Sequence, residues 1–433
     1  MDQFEIHNLH WKGLRRFEEG DPHLTFVKEL KYIAPLDWWK QIPRTEGGIY
    51  LLTGGRQIGK STSLKLFMQF LMNTSKFKES PQRLFYFPCD QIMNRQHLYE
   101  IIQSFLGQVG NHFFCLLIDE ITFIQDWEKT IKGIADEGHF RHGICIITGS
   151  DRVLLEEAAT ALPGRRGKIN KVDFSLHPLS FRQFIELVAK GALPVSQKNL
   201  SQLQSHFEKY QICGGFPKAI NDLYMKGAIS ESTIQTYRHW IVGDFIKRGK
   251  KQETLLEVLL EIFNTLGSQV TFSELSRRCA SLSKETFIDY VSLLQRMEII
   301  CVQEAFDQNK LRAFPKKAKK ICFWDPFILR TVHTMLVGSQ NIDSSKIVEG
   351  IVASHFARRY PTYYLKAEGE VDVVAVEHGR PFFIEVKWGN QIRPKDLKQI
   401  KKYKNALVLT KNLEEGKIDD VPTCPLVKKI LEI

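Results

Sequence analysis

Three sets of side chains in this sequence have types and spacings suited to reaction chemistry. The first is Gly54-Gly55-Arg56-Gln57-Ile58-Gly59-Lys60-Ser61-Thr62, which spells G-x-x-x-x-G-K-S and one further hydroxyl. Gly54 and Gly59 open backbone angles closed to other residues. The backbone N–H groups of the loop and of the following helix can then face the phosphates of ATP. In such a loop Lys60 reaches the β- and γ-phosphates and the Ser61 hydroxyl binds Mg²⁺. The second set is Asp119-Glu120, closing the apolar run that starts at Phe113. Asp119 would hold Mg²⁺, directly or through water. Glu120 would polarise the attacking water.

The third set lies near the C-terminus. Glu385 and Lys387 fall on one face of a predicted strand, and Asp372 falls on the strand before it. Two carboxylates and an amine that converge are what Mg²⁺-assisted phosphodiester cleavage needs. Asp372 and Glu385 would hold the metal, Lys387 would orient water or offset developing charge, and Glu349 from a preceding helix would complete the set. Alternating charge on a half-exposed hairpin gives the same short string, so the order of helix Glu, strand Asp and strand E-x-K carries the reading.

Two further groups stand open between roles. Thr148 or Ser150, at the end of the run from Gly143, would sense the γ-phosphate, or Ser150 or Asp151 would cap a helix. Arg165 and Arg166, in a Gly/Pro loop, would supply an arginine finger or form a solvated turn.

These residues need particular elements around them. Ile49–Thr53 reads as a buried strand, and Leu64, Phe67, Met68 and Leu71 share one face of the helix that follows the loop. Residues before Gly47 read as a lead-in whose Trp11, Trp38 and Trp39 pack on the core. Arg83–Pro88 reads as a strand stopped by proline, and His97–Leu106 as a helix. Continuous apolar runs before Asp119 and Thr148 suit strands buried on both faces of a parallel sheet, with ligands at their C-terminal ends. Further on, three amphipathic helices, from Leu255, Thr271 and Ser283, precede two strands around 298–302 and 320–324. That order predicts a winged helix-turn-helix. Its third helix would offer Ser281, Ser283, Lys284, Thr286 and Asp289 to DNA, with Lys316, Lys317, Lys319 and Lys320 gripping phosphate. Glu285 and Asp289 argue against DNA, and the same module also docks proteins. Lys395–Lys404 reads as a basic helix, beside Arg393 in the same basic cluster.

The quoted loop, together with Leu-Ile-Asp-Glu (117–120), Thr-Gly-Ser (148–150), Pro-Gly-Arg (163–165), His-Pro-Leu-Ser-Phe-Arg-Gln-Phe (177–184) and Gly-Gly-Phe-Pro (214–217), resembles one family. It is the prokaryotic AAA-type ATPases whose C-terminal half is a domain of unknown function with a restriction-endonuclease-like, PD-(D/E)XK core. The resemblance covers most of the chain. It implies a P-loop core with a small helical lid and the same carry-over of Asp372, Glu385 and Lys387, and it supplies no substrate. Asp151 departs from the small hydroxyl residue expected there.

Composition sets the frame. The chain has 433 residues, 43% apolar and 25% charged, which suits two or three soluble domains. A net charge of +11 favours anionic partners, with DNA foremost. Eight scattered cysteines without a C-x-x-C pair fit reduced thiols in a cytoplasm. No apolar run is long enough for a membrane partner. The expected architecture is multidomain α/β: an AAA-type (ASCE) P-loop NTPase core with a parallel sheet and helical lid (1–225), a winged-helix connector (226–335) and an α/β restriction-endonuclease-like domain (336–433). The expected function is Mg²⁺-dependent ATP binding and hydrolysis that gates action on DNA, in a chain able to form a homo-oligomer. The alternative is an ATP-driven switch or scaffold that binds DNA or protein without cutting.

Overall fold

The computed structural model describes residues 2–34, 38–43, 45–149, 155, 160, 162, 164–167, 171–279, 282–337, 342–389 and 392–433. The chain divides into two compact units, Met1–His177 and Pro178–Ile433. Ser150, Asp151, Pro163 and Ser281 lie outside the described residues.

The first unit is built on a five-stranded sheet. Its strands are β1 (Gly48–Gly54), β2 (Leu84–Pro88), β3 (Phe114–Asp119), β4 (Gly143–Gly149) and β5 (Asp173–Leu176), in the order β2-β3-β4-β1-β5 with every pairing parallel. A strand therefore separates the loop-bearing β1 from the acid-bearing β3. Alternation along β1 serves both faces. Ile49 and Leu51 enter one core, and Tyr50 and Leu52 the other. In chain order the helices are α1 (Leu14–Gly20), α2 (Pro22–Glu29), α3 (Lys60–Met72), α4 (Ser75–Lys78), α5 (Arg95–Val109) and α6 (Trp127–Asp136). The stripe Leu64, Phe67, Met68 and Leu71 on α3 is buried, as its spacing predicts.

The lead-in covers the edge of β2, which would otherwise present unpaired backbone groups. The Asn8 side chain donates to Tyr86 O (2.8 Å) and accepts from Tyr86 N–H (2.9 Å), doing the work of a neighbouring strand. His10 Nε2 (2.8 Å) and Trp11 Nε1 (3.0 Å) both donate to Leu84 O. Trp11 stacks on Phe85, and Trp38 packs against Phe67 and Phe174.

The second unit opens with α7 (Phe181–Val188), α8 (Leu200–Cys213), α9 (Pro217–Lys226) and α10 (Glu231–Lys247). Next come α11 (Gln252–Asn264), β6 (Gln269–Val270), α12 (Phe272–Arg278) and α13 (Lys284–Arg296). Then follow β7 (Ile300–Asp307), β8 (Arg312–Ala313), β9 (Lys319–Phe323), α14 (Pro326–Val337) and α15 (Ser344–Ala357). The chain ends with β10 (Thr362–Lys366), β11 (Glu370–Glu377), β12 (Arg380–Lys387), β13 (Ala406–Thr410), β14 (Gly416–Ile418), β15 (Val421–Pro425) and α16 (Leu426–Glu432). Its strands form one ten-stranded sheet, ordered β14-β15-β13-β12-β11-β10-β7-β9-β6 with β8 on β7.

Two differences from the sequence expectation have physical causes. Residues 178–225, expected as a lid on the ATPase core, cluster in the second unit because their backbone is wired there. Leu179 N–H donates to Gly215 O (2.8 Å), Tyr210 OH donates to Leu179 O (2.7 Å), and Gly215 N–H donates to Asp325 (2.8 Å). The Pro-Leu-Ser-Phe and Gly-Gly-Phe-Pro stretches thus pack on each other, and a Cβ at Gly215 would stand 2.1 Å from Leu179 O. Likewise, the boundary expected near 335 runs through a continuous sheet, because β7 pairs parallel with β10 through Glu304 and Tyr363.

Candidate functional site

In the first unit the predicted phosphate loop leaves β1 at its C-terminal end. Gly54 has φ +152°, and a Cβ there would lie 2.4 Å from Leu176 O, so no larger residue fits. Gln57 and Gly59 also take positive φ, the latter in a position open to surroundings. The N-terminus of α3 has no side-chain cap, which leaves the first N–H groups of the helix to an anion. Lys60 is 4% exposed, and its Nζ donates to Gly54 O (2.9 Å) and Gly55 O (3.0 Å). The same ammonium stands 3.3 Å from Glu120 Oε1. Loop lysine and predicted general base, 60 residues apart in sequence, therefore meet.

Asp119, 3% exposed, is held by two hydroxyls. Tyr86 OH donates to its Oδ2 (2.8 Å) and Thr148 Oγ1 to its Oδ1. Thr148 Oγ1 also accepts the Glu120 N–H (3.0 Å). Thr148 is thus fixed to the acid pair and orients both members. Burial, and then the adjacent Asp119 charge, push the Tyr86 phenol well above its usual range, so it remains a donor. Glu120 takes φ +54°, a left-handed conformation that turns its carboxylate from the strand toward Lys60. The donor set suits ATP with Mg²⁺: a lysine, Ser61 at the helix start and an oriented carboxylate at the end of β3, one strand removed from β1.

Two features of this region were not foreseen. Lys65 on α3 forms a buried ion pair with Asp21 (3.1 Å), donates to His7 O (2.5 Å) and lies 3.8 Å from the centroid of the Tyr86 ring. Behind the loop, His23 Nδ1 is 3.0 Å from Thr62 Oγ1. Nothing local in the sequence marks either pair, because their partners lie 39 to 44 positions away.

Arg165 is not brought to this site. Its Nε donates to Asp136 at the end of α6. Arg166 clamps Asp173 through Nη1 (2.9 Å) and Nη2 (2.5 Å). The Arg166 carbonyl lies beside Gly48, where β1 begins, about 20 Å of strand before Gly54. These ion pairs hold the two guanidiniums toward the starting end of β1, away from the phosphate loop.

In the second unit the predicted carboxylates do come together, but lysines divide them. Lys320 on β9 reaches Glu349 of α15 (2.5 Å) and Glu370 (2.5 Å) and Asp372 (3.3 Å) of β11. Lys387 binds Glu385 (2.6 Å) on its own strand. Asp372 Oδ2 accepts the Val386 N–H (2.9 Å) just past the last ladder pair, Val373 and Ile384. Burial, then repulsion from Asp372, raises Glu349 to about 7 and Glu385 to about 8. Burial opposes the Lys320 charge, but Asp372, Glu349 and Glu370 outweigh it and push its pKa up. Among the described residues no group of three His, Cys, Asp or Glu side chains is arranged to hold a metal. An ammonium thus sits on one oxygen of each of Glu349, Asp372 and Glu385, the three carboxylates that the sequence reading assigns to a metal.

The expected phosphate grip is also revised. Lys320 is 2% exposed and Lys319 pairs with Glu304 (3.1 Å), which leaves Lys316 and Lys317 on the surface. On α13, Ser283 caps the helix and Asp289 binds Lys250, while Lys284 stays exposed. The basic run at 393–404 forms only short 3₁₀ turns, with Lys402 on Glu368 (2.7 Å) and Lys401 on Asp419. No helix among the described residues is long and apolar enough to cross a membrane.

Comparison with known proteins assigns names to these segments. Residues 46–185 match the AAA domain family. Residues 204–340 and 344–427 match two domains of unknown function, DUF8612 and DUF4143. An uncharacterized protein of Haemophilus influenzae is 26% identical over 400 residues, covering 89% of this chain and 94% of that one. The Walker-type ATPase PABY2304 of Pyrococcus abyssi aligns with 66% of this chain and 91% of its own at 15% identity and a TM-score of 0.44. The ORC2 protein of Aeropyrum pernix, solved as ADPNP–ADP complexes, aligns with 72% of this chain and 97% of its own at 14% identity and a TM-score of 0.41. At such scores neither structure bears on function. Lys60, Asp119 and Glu120, which converge at the end of a five-stranded parallel sheet, all lie within the segment that matches the AAA domain family.

Proposed function

We propose that this chain hydrolyses ATP with Mg²⁺ and couples its nucleotide state to action on DNA. The observation that carries the reading is the meeting of Lys60 and Glu120 (3.3 Å) beside an Asp119 fixed by two hydroxyls. The α3 N–H groups and Lys60 bind the phosphates, Ser61 and Asp119 hold Mg²⁺, and Glu120 draws the proton from the attacking water. When bound, Mg²⁺ supplies charge neutralisation on the phosphate oxygens. Phosphate in the loop competes for Lys60, and that frees Glu120 for its role.

DNA enters through the second unit. Helices α11, α12 and α13 with strands β6, β7 and β9 follow the order of a winged helix, and the cluster around Asp372 and Glu385 follows the order of a nuclease-like site. The alternative, a switch or scaffold that does not cut, is favoured by the Lys320 ion pairs, which leave no set of carboxylates free for a metal.

The test is ATP turnover, measured with and without DNA, for the wild type and Glu120→Gln. The wild type turns over ATP and is stimulated by DNA. The variant binds nucleotide with little change and turns over at least 100-fold more slowly, on the order of the loss of a general base. Unchanged turnover in Glu120→Gln removes that residue from the mechanism. Plasmid in the same incubations reads cleavage: nicking by the wild type supports the nuclease, and DNA binding without nicking supports the switch.

A further inference from the structure

Lys320 is an interior cation that the metal reading of the second unit does not use. In the antiparallel ladders Gln269 of β6 and Gln303 of β7 lie opposite it, so the three side chains leave one face of the sheet. On that face the Lys320 ammonium meets Glu349, Glu370 and Asp372 at 2.5, 2.5 and 3.3 Å. Gln269 supports the arrangement by donating to Glu370.

Two buried polar atoms there are left over. Glu385, 5% exposed, gives Oε1 to Lys387 (2.6 Å), while its Oε2 has no hydrogen-bond partner among the described residues. Gln303, 3% exposed, has an Nε2 with no partner among the described residues. Four carboxylates (Glu349, Glu370, Asp372, Glu385) share two ammonium groups (Lys320, Lys387), so the formal charges sum to −2. A buried deficit of that size equals the charge of one divalent ion, and carboxylate oxygens are the ligands that hard cations prefer.

We propose that Lys320 is the resident cation of this cluster and competes with a divalent metal ion for it. The ammonium binds Glu349 and Asp372, two of the three carboxylates read above as ligands. A divalent ion takes their oxygens, together with the spare oxygen of Glu385, only as Lys320 withdraws. Lys320 comes from the segment matching DUF8612 and the carboxylates from the segment matching DUF4143. The position of β9 therefore governs access of metal to the site. The inference rests on the metal-site reading of Glu349, Asp372 and Glu385.

The experiment is Mn²⁺ titration of the full chain without nucleotide, followed by electron paramagnetic resonance, for the wild type and Lys320→Met. The variant is expected to bind one Mn²⁺ at least tenfold more tightly than the wild type. Its melting temperature, lowered in EDTA, should recover with Mn²⁺, while that of the wild type stays fixed. Equal Mn²⁺ affinity in the two proteins overturns the competition. If Lys320→Met does not fold, Glu370→Gln loosens the lysine while sparing the three ligands. Tighter Mn²⁺ binding in that variant supports the proposal, and unchanged or weaker binding overturns it. Asp372→Asn separates the two levels. If it abolishes an equal Mn²⁺ site in both backgrounds, the metal reading stands and the competition falls. If Lys320→Met keeps its gained site despite Asp372→Asn, the metal reading falls and takes the proposal with it.

Discussion

Thr148 shows how one hydroxyl holds two groups of the proposed site. It donates to Asp119 and accepts from the Glu120 backbone, so Thr148→Val leaves a buried carboxylate oxygen and an N–H short of partners. Each lost partner costs about 1–3 kcal/mol, and displaced carboxylates should lower ATP turnover about tenfold. Thr148→Ser keeps the hydroxyl and should restore most of the rate, so steady-state turnover of the pair checks the role. At this scale the sequence was informative wherever chemistry is written in consecutive residues. Lys60, Ser61, Asp119 and Glu120 were readable because each sits in a short motif at a strand end. Tyr86, Lys65 and Lys320 were not, because each acts on a partner 29 to 52 positions away and no local spacing records the pairing. Lys320 was misread as surface charge for the same reason. In a run of four lysines only the register of β9 tells which one turns inward.

Strands were the elements most plainly legible. The continuous apolar runs at β1, β3 and β4 gave buried parallel strands, and His378-Gly379, both at positive φ, gave the hairpin between β11 and β12. The lead-in was legible as packing but not as pairing, because a side-chain amide standing in for a strand has no periodic signature. Asn8→Ala would leave both backbone groups of Tyr86 unpaired in a buried place. The expected loss is about 2–4 kcal/mol of first-unit stability, read by urea unfolding, and it should bare the β2 edge to self-association. The basic run at 393–404 was misassigned as a helix. There charged residues pair with Glu368 and Asp419, while Leu397 and Ile400 turn in at a spacing of three, and short 3₁₀ turns meet those demands.

Across the whole molecule, the two units should respond oppositely to mild acid. In the first unit burial lowers His7, His23 and His10, the last to about 3. Below about pH 6.5 the unfolded chain takes up protons that these folded imidazoles refuse, so stability falls as pH drops. In the second unit burial raises Asp325 to about 6, Glu349 to about 7 and Glu385 to about 8. Those folded groups bind protons that unfolded carboxyls release, so stability rises as pH falls from about 8 toward about 4. His355, lowered to about 3 by burial, opposes this gain below about pH 6.5. Calorimetry at pH 8 and pH 6 should show the second-unit transition moving up and the first-unit transition moving down. Parallel shifts would contradict these assignments.

The pairing of β7 with β10 bears on how this protein can be dissected. A fragment starting at residue 344 would match a recognised segment, yet it would strip the backbone at Tyr363 and Tyr364 of its neighbour. It would also take the Lys320 ammonium away from Glu349, Glu370 and Asp372. Such a piece should precipitate or misfold, whereas one starting at Pro178 keeps the whole sheet intact. The segments that match separate families are not separate packing units, and a cut between them falls through one continuous sheet.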